Sequence, residues 1–352
     1  MSRNGADIVP HQDYGLFEPD SVARRVWAYP TTPLHGIVRA TVVEEIDPDL
    51  LAAVDQTGAN YDRLATRYAR TVQYFASVAF SDSETIARMA DVLVKVHSKA
   101  IGTEPISGRP YDANNPSSQL WILITGWHSV LKCYETFGPG RLSDAEVEEY
   151  WAACAVAAEL QTCDPADVPR TREQVRAYFD SWRPRVAASE AAQRMMHHLL
   201  NGALEVLPPQ GPLRLARRPA NWLIRTGTIA TMPHYIRQLA GVHQSPSTDL
   251  AVTVLTKVLM NVLNRSLPLQ REIVKQIAPK VLPVIEPHWR GIAPVNPVVV
   301  SPAQARAELG LLPPAQAHHD LRQKQWQRVF SDGRKPSDVG LIESEDALGR
   351  LA

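Results

Sequence analysis

Apolar residues recur every three or four positions through most of this chain, and almost nowhere do they alternate with polar ones in the two-residue rhythm of a strand. The rhythm predicts helices over Ser21 to Trp27, Ile37 to Val54, Tyr61 to Phe80, Ser83 to Ile101, Gln119 to Phe137, Asp144 to Gln161, Arg172 to Trp182 and Ala188 to Leu204, with shorter ones after Asn221. Ser81 before Glu84 and Ser143 before Glu146 have capping-box spacing, and Gly102 and Gly138 fall where helix C-terminal caps belong. No Gly/Ser linker divides the body, so the expected fold is all-α, a single multi-helix domain. That body is expected over residues 16–314, between a mobile N-terminus of residues 1–15 and a polar C-terminal tail over 315–352. Prolines crowd residues 208–219 and 268–302, which predicts a more punctuated C-terminal part.

Charge and cysteine usage exclude several classes. The 37 basic residues balance 37 acidic ones without gathering in blocks, so nothing would attract a polyanion and nucleic acid is not an expected partner. The longest apolar stretch, Leu250 to Leu263, is broken by Lys257 and too short to span a bilayer. Met1 to Gln12 lacks an apolar signal-peptide core, and the expectation is a cytoplasmic protein. Cys133, Cys154 and Cys163 fit no disulfide framework, no thiolate zinc site and no CxxCH attachment of haem. Gly-rich dinucleotide and phosphate loops, HExxH, GxSxG and EF-hand loops are likewise missing.

Two predicted helices stand out. In the first, Arg63, Arg67, Arg70, Thr71 and Tyr74 form one polar stripe, while Leu64, Tyr68, Phe75 and Val78 form an apolar one. In solvent the stripe would be an ordinary wet face. Buried, each guanidinium would need an anion. In the second helix Ile86, Met89, Leu93, Val96 and Ile101 mark the apolar face, and His97 falls on it. A core histidine usually bonds a backbone carbonyl. Directly after an arginine-rich helix, it also suits a neutral imidazole ligand for iron facing a cationic surface.

Arg67-Tyr-Ala-Arg70-Thr71 resembles the Arg-x-x-[Lys/Arg]-Thr element of the haem b oxygenases that include latex-clearing protein and the fungal MpaB oxygenase. In that family an apolar run follows, then a helix carrying the axial haem histidine, matched here by Val94-Lys-Val-His97-Ser-Lys-Ala-Ile-Gly102. Phe17-Glu-Pro-Asp-Ser21, Gly108-Arg-Pro-Tyr111 before Leu120-Trp121, Tyr134-Glu-Thr-Phe-Gly138, Val168-Pro169 before Tyr178, and Pro233-His-Tyr-Ile-Arg237 extend the resemblance over about residues 16–245. Two positions depart from it. Asp47-Pro48 stands where relatives commonly have His-Pro, and Leu123 where many have a histidine.

The resemblance implies noncovalent haem b with His97 as the metal ligand. It implies Arg67, Arg70 and Thr71 as catalytic residues on the distal side, with Arg67, Arg70, Tyr74 and His128 at the cofactor. It implies O₂ and an apolar small metabolite, such as an isoprenoid or a natural product, as substrates, with a reductase needed only for monooxygenation. A noncatalytic haem-binding sensor, or a helical scaffold without cofactor, would carry the same helices. Trp121 and Trp127 read as core aromatics, and the adjacent His197 and His198 diverge too far to form a metal pair. Glu44 and Glu45 could supply a base, although adjacent carboxylates at such a position usually face solvent.

Overall fold

The computed structural model describes residues 8–50, 64–104, 107–207 and 214–334. Arg63 and the predicted helix ends at Val54 and Tyr61 lie outside these residues. Helices α1 (Val22–Trp27), α2 (Ile37–Glu44), α3 (Leu64–Phe80) and α4 (Ser83–His97) lead into a two-stranded hairpin, β1 (Ile101–Thr103) and β2 (Pro110–Asp112). Then follow α5 (Pro116–Phe137), α6 (Asp144–Ala158), α7 (Arg172–Trp182), α8 (Glu190–Leu200), α9 (Ala203–Val206), α10 (Arg217–Thr231), α11 (His234–Leu239) and α12 (Pro246–Asn264). The chain closes with α13 (Leu267–Ile277), α14 (Leu282–Trp289), α15 (Pro302–Glu308) and α16 (His319–Trp326). With 67% helix and 2% strand in one domain, the all-α expectation holds.

Helix α5 is the axis. It is apolar around most of its circumference, as a helix must be when neighbours cover it on several sides, and Trp121, Leu123, Ile124, Trp127, Val130 and Phe137 are all buried. Asn115 caps it by accepting from the Ser117 and Ser118 amides. The Tyr150 hydroxyl of α6 donates to the Trp127 carbonyl at 2.9 Å, Trp27 of α1 packs edge-on against Trp127, and Trp182 of α7 stacks on Trp121 at 4.5 Å. Both tryptophans are core aromatics, as expected. Helix α2 runs antiparallel along α5: Gly36 lies against Val130, Arg39 bonds Ser129, and Val43 and Ile46 share a cluster with Trp121. A Cβ at Gly36 would come within 3.1 Å of the Val130 Cα, so the close approach needs glycine there.

Several boundaries differ from expectation. Helix α4 ends at His97 instead of reaching Ile101, because the Ser98 hydroxyl and the Asn114 amide both donate to the Val94 carbonyl and the chain turns into the hairpin, with Ile101 paired to Asp112. Gly102 therefore sits in a strand, whereas Gly138 does cap α5. Asp82, not Ser81, caps α4, while the Ser143 and Glu146 capping box forms. The ends are also more integrated than their polarity suggests. Tyr14 N donates to Val298 O at 2.9 Å, and His318 and Arg322 bond Asp91 and Asp112.

Candidate functional site

The hairpin folds residues 101–112 back on themselves, so Ala113 N meets Ala100 O at 3.0 Å and α5 begins beside the end of α4. That return places Gln119 against His97: its Nε2 donates to the His97 Nδ1 at 3.2 Å and to the Ala113 carbonyl. The His97 Nε2 has no hydrogen-bond partner among the described residues. Burial lowers the imidazole pKa to about 4, so it is neutral at physiological pH. Leu93, Val96 and His97 share one half-buried face of the last turn of α4, whereas Ile86, Ala90 and Val94 are fully covered.

The polar stripe of α3 is reached from the same scaffold. Asn114 Nδ2 donates to Val94 O and to Ser98 Oγ, and its carbonyl accepts from Thr162 at 2.8 Å. The neighbouring Gln161 side chain lies against the Tyr74 hydroxyl. No hydrogen bond joins the two, however, and the buried Tyr74 hydroxyl has no hydrogen-bond partner among the described residues. Burial raises the Tyr74 pKa well above its ordinary value. Arg70 and Thr71 are half-buried beside Tyr74. Arg67 keeps open surface, yet the protein surrounds it closely enough for desolvation to lower its pKa, against the pull of Glu45 and Glu44.

Those two carboxylates are a correction to the sequence reading, which expected them in solvent. The antiparallel course of α2 carries its C-terminal end toward the Gln119 end of α5, where Glu45 is buried and Glu44 half-buried. Desolvation first, then the Glu45 charge, raises the Glu44 pKa to about 8, with Arg67 opposing. Asp47 is also buried and pushed up to about 6, chiefly by desolvation. No motif identified these acids. Their signal was the following Asp47-Pro48, which ends α2 at a packed corner.

His128 is not brought to His97. It lies nine residues beyond Gln119, about 13 Å along the α5 axis, with Nδ1 3.4 Å from Arg39 and its ring on Phe179. Burial and the Arg39 charge hold its pKa well below the ordinary value. Arg39 is a buried cation that the sequence reading missed, because it falls on an otherwise apolar α2. It donates to Ser129 Oγ at 2.7 Å. An apolar cavity of about 50 Å³ lies on the side of α3 turned away from Arg67, walled by Val72, Phe75, Ala76, Leu34, Ile273 and Ile277. Among the described residues no three His, Cys, Asp or Glu side chains gather as a metal cage.

The structure is an all-helical domain packed around one central helix, α5. The chain belongs to the family described as ER-bound oxygenase mpaB/B'/rubber oxygenase, catalytic domain, whose profile matches residues 24–265. It is therefore an enzyme of oxygenase type. No curated protein and no solved structure matches it.

Proposed function

We propose that this chain is a haem b-dependent oxygenase acting on an apolar small molecule, with His97 as the protein ligand to iron. The observation that carries this reading is the neutral, half-covered His97 beside Gln119 at the start of α5, whose Nε2 has no hydrogen-bond partner among the described residues. The residues fit the cofactor in three respects. His97 Nε2 is free, its flank of Leu93 and Val96 is apolar and only half covered, and Arg67 and Arg70 can pair with carboxylates such as propionates. Without a CxxCH motif the haem is held noncovalently. Bound there, it would supply dioxygen activation.

The chain's own residues have definite tasks in this scheme. For Nε2 to offer its lone pair, the imidazole proton must sit on Nδ1, which requires the Gln119 side chain to leave the Ala113 carbonyl and present its oxygen to Nδ1. Arg67, Arg70 and Thr71 line the polar side and would stabilise negative charge developing on oxygen, with the buried, unpartnered Tyr74 hydroxyl beside them. Glu44 holds a proton at neutral pH and passes it at its carboxylate, its acidity set by the opposing influences of burial and Arg67. His128, engaged by Arg39 about 13 Å along α5 from Gln119, takes no part in iron ligation.

We take the substrate to be an isoprenoid or a comparable natural product, a class that the apolar flank of Leu93 and Val96 suits, with a reductase required only if one oxygen atom is reduced to water. Protein purified after expression with iron and haem precursor should be red, with one haem per chain by its Soret band. His97→Ala should lose that band. Colourless wild-type protein, or a His97→Ala variant that keeps stoichiometric haem, would overturn the assignment. Oxygen uptake on adding an isoprenoid separates an oxygenase from a noncatalytic haem protein.

A further inference from the structure

Helix α12 turns an unusually apolar side outward. Leu250, Val254, Leu255, Val258, Leu259 and Val262 are between 40% and 68% exposed, while Val252, Thr256, Met260 and Leu263 on the opposite side are buried. At 100° per residue the exposed six cover an arc of about 180° along a helix roughly 28 Å long. Leu269, at the start of α13, and Trp222, on the neighbouring α10, add exposed apolar surface. A patch of this extent is more than the scattered exposed apolar residues of an ordinary surface.

The charges around it are mostly of one sign, with Glu272 on α13 exposed among them. Through α10, α12 and their flanks stand Arg214, Arg217, Arg218, Arg225, Lys257 and Arg265, against Asp249 alone. Asp249 is already held by Arg237 at 2.8 Å. Arg218 lies one helical turn from Trp222 and so shares its exposed face, and Lys257 borders the arc on α12. We infer that this face docks onto an anionic lipid surface, with α12 lying in the plane of the interface, its apolar arc among the acyl chains and its cations at the headgroups. Neither α12 nor α13 is by itself long and apolar enough to cross a bilayer, and α12 keeps Val252, Thr256, Met260 and Leu263 buried against the protein, which favours lying on the surface over entering the bilayer with the bent α13.

A second copy of the chain fits the face less well. An isologous contact sets the same patch against itself, which here opposes mostly cations to cations, with Glu272 on α13 as an exposed acid and Asp249 already held by Arg237. A two-helix seam also needs a narrower stripe than half the circumference.

The test is co-sedimentation of the full-length protein with vesicles of phosphatidylcholine alone and of phosphatidylcholine with phosphatidylserine, at low and high salt. Wild type is compared with Val254→Glu/Val258→Glu, two exposed positions whose substitution leaves the core intact. Wild type should partition onto the anionic vesicles at least about tenfold better than onto neutral ones, lose that preference in high salt, and lose binding in the double variant at unchanged circular dichroism. Wild type that stays in the supernatant, binds both vesicles equally, or binds as well after the double substitution overturns the inference. A wild-type dimer in light scattering that the double variant dissociates, without vesicle binding, also overturns it and assigns the face to a second copy.

Discussion

The Gln119 side chain stands between His97 Nδ1 and the Ala113 carbonyl, so the orientation of the imidazole is set by a neutral amide anchored to the first residues before α5. A partner of this kind fixes the ring without making it more basic, whereas a carboxylate there would accept the Nδ1 proton and push electron density toward Nε2. Gln119→Glu should therefore lower the reduction potential of the bound haem. Gln119→Leu should weaken haem affinity by about tenfold to a hundredfold. Spectroelectrochemistry and haem titration check the pair. Unchanged values in both would mean that Gln119 plays only a structural part.

Glu44 gives a pH dependence whose sign follows from its environment. The folded protein keeps the carboxyl proton until about pH 8, against an ordinary value of 4.5, so between these values the unfolded chain releases its proton first and stability falls as pH rises. Glu44→Gln cannot ionise. It should match wild type in urea denaturation near pH 4 and exceed it by roughly 1–3 kcal/mol near pH 8. A difference that does not change with pH would show that the carboxylate is solvated.

The segment before α1 is part of the fold, which its polar composition hid. Asp13 Oδ1 accepts from the Gly15 and Ser83 amides at 2.7 and 2.8 Å, and its Oδ2 accepts from the Ser83 hydroxyl, so the segment buttresses the start of α4. Gly15 has φ +66°, and a Cβ there would lie 2.0 Å from the Ser81 carbonyl oxygen. Asp13→Ala should cost about 1–2 kcal/mol, and Gly15→Ala more than about 2 kcal/mol. Thermal melting measures both, and wild-type stability in Gly15→Ala would show that the segment is loosely held.

What the sequence disclosed and what it hid have physical causes. Periodicity located α3 and α7 because each has a partly wet face, and on α3 Arg67 is exposed and Arg70, Thr71 and Tyr74 half-buried while Leu64, Phe75 and Val78 are buried. His97 was legible because it breaks an apolar face. Gln119 was not: its role depends on the hairpin that returns the chain from Ile101 to Asp112, a three-residue ladder too short for any alternation to register. Glu44 and Arg39 were hidden for another reason. Charge normally means exposure, and only the antiparallel packing of α2 on α5 decides otherwise.

Arg67 carries the sharpest test of the distal side. It lies four residues from Thr71, one turn along the same face of α3, and it combines open surface with a pKa lowered by desolvation beside Glu45 and Glu44. An arginine on a wet face would shift stability by less than about 0.5 kcal/mol when truncated and leave turnover alone. One that lines the reaction recess would change stability just as little, because its surface is open, but its removal would take away a cation that stabilises negative charge at low dielectric. Arg67→Ala should therefore melt within a few degrees of wild type and keep its Soret band, while oxygen uptake falls by about 10²–10³-fold. Thr71→Ala, which removes a single hydroxyl from the same face, should lose less. Arg67→Lys should recover part of the rate, since it restores the charge but not the planar fork. Wild-type oxygen uptake in Arg67→Ala and Thr71→Ala, with unchanged spectra, would return the stripe to solvent and move the chemistry to the Glu44 side of the recess.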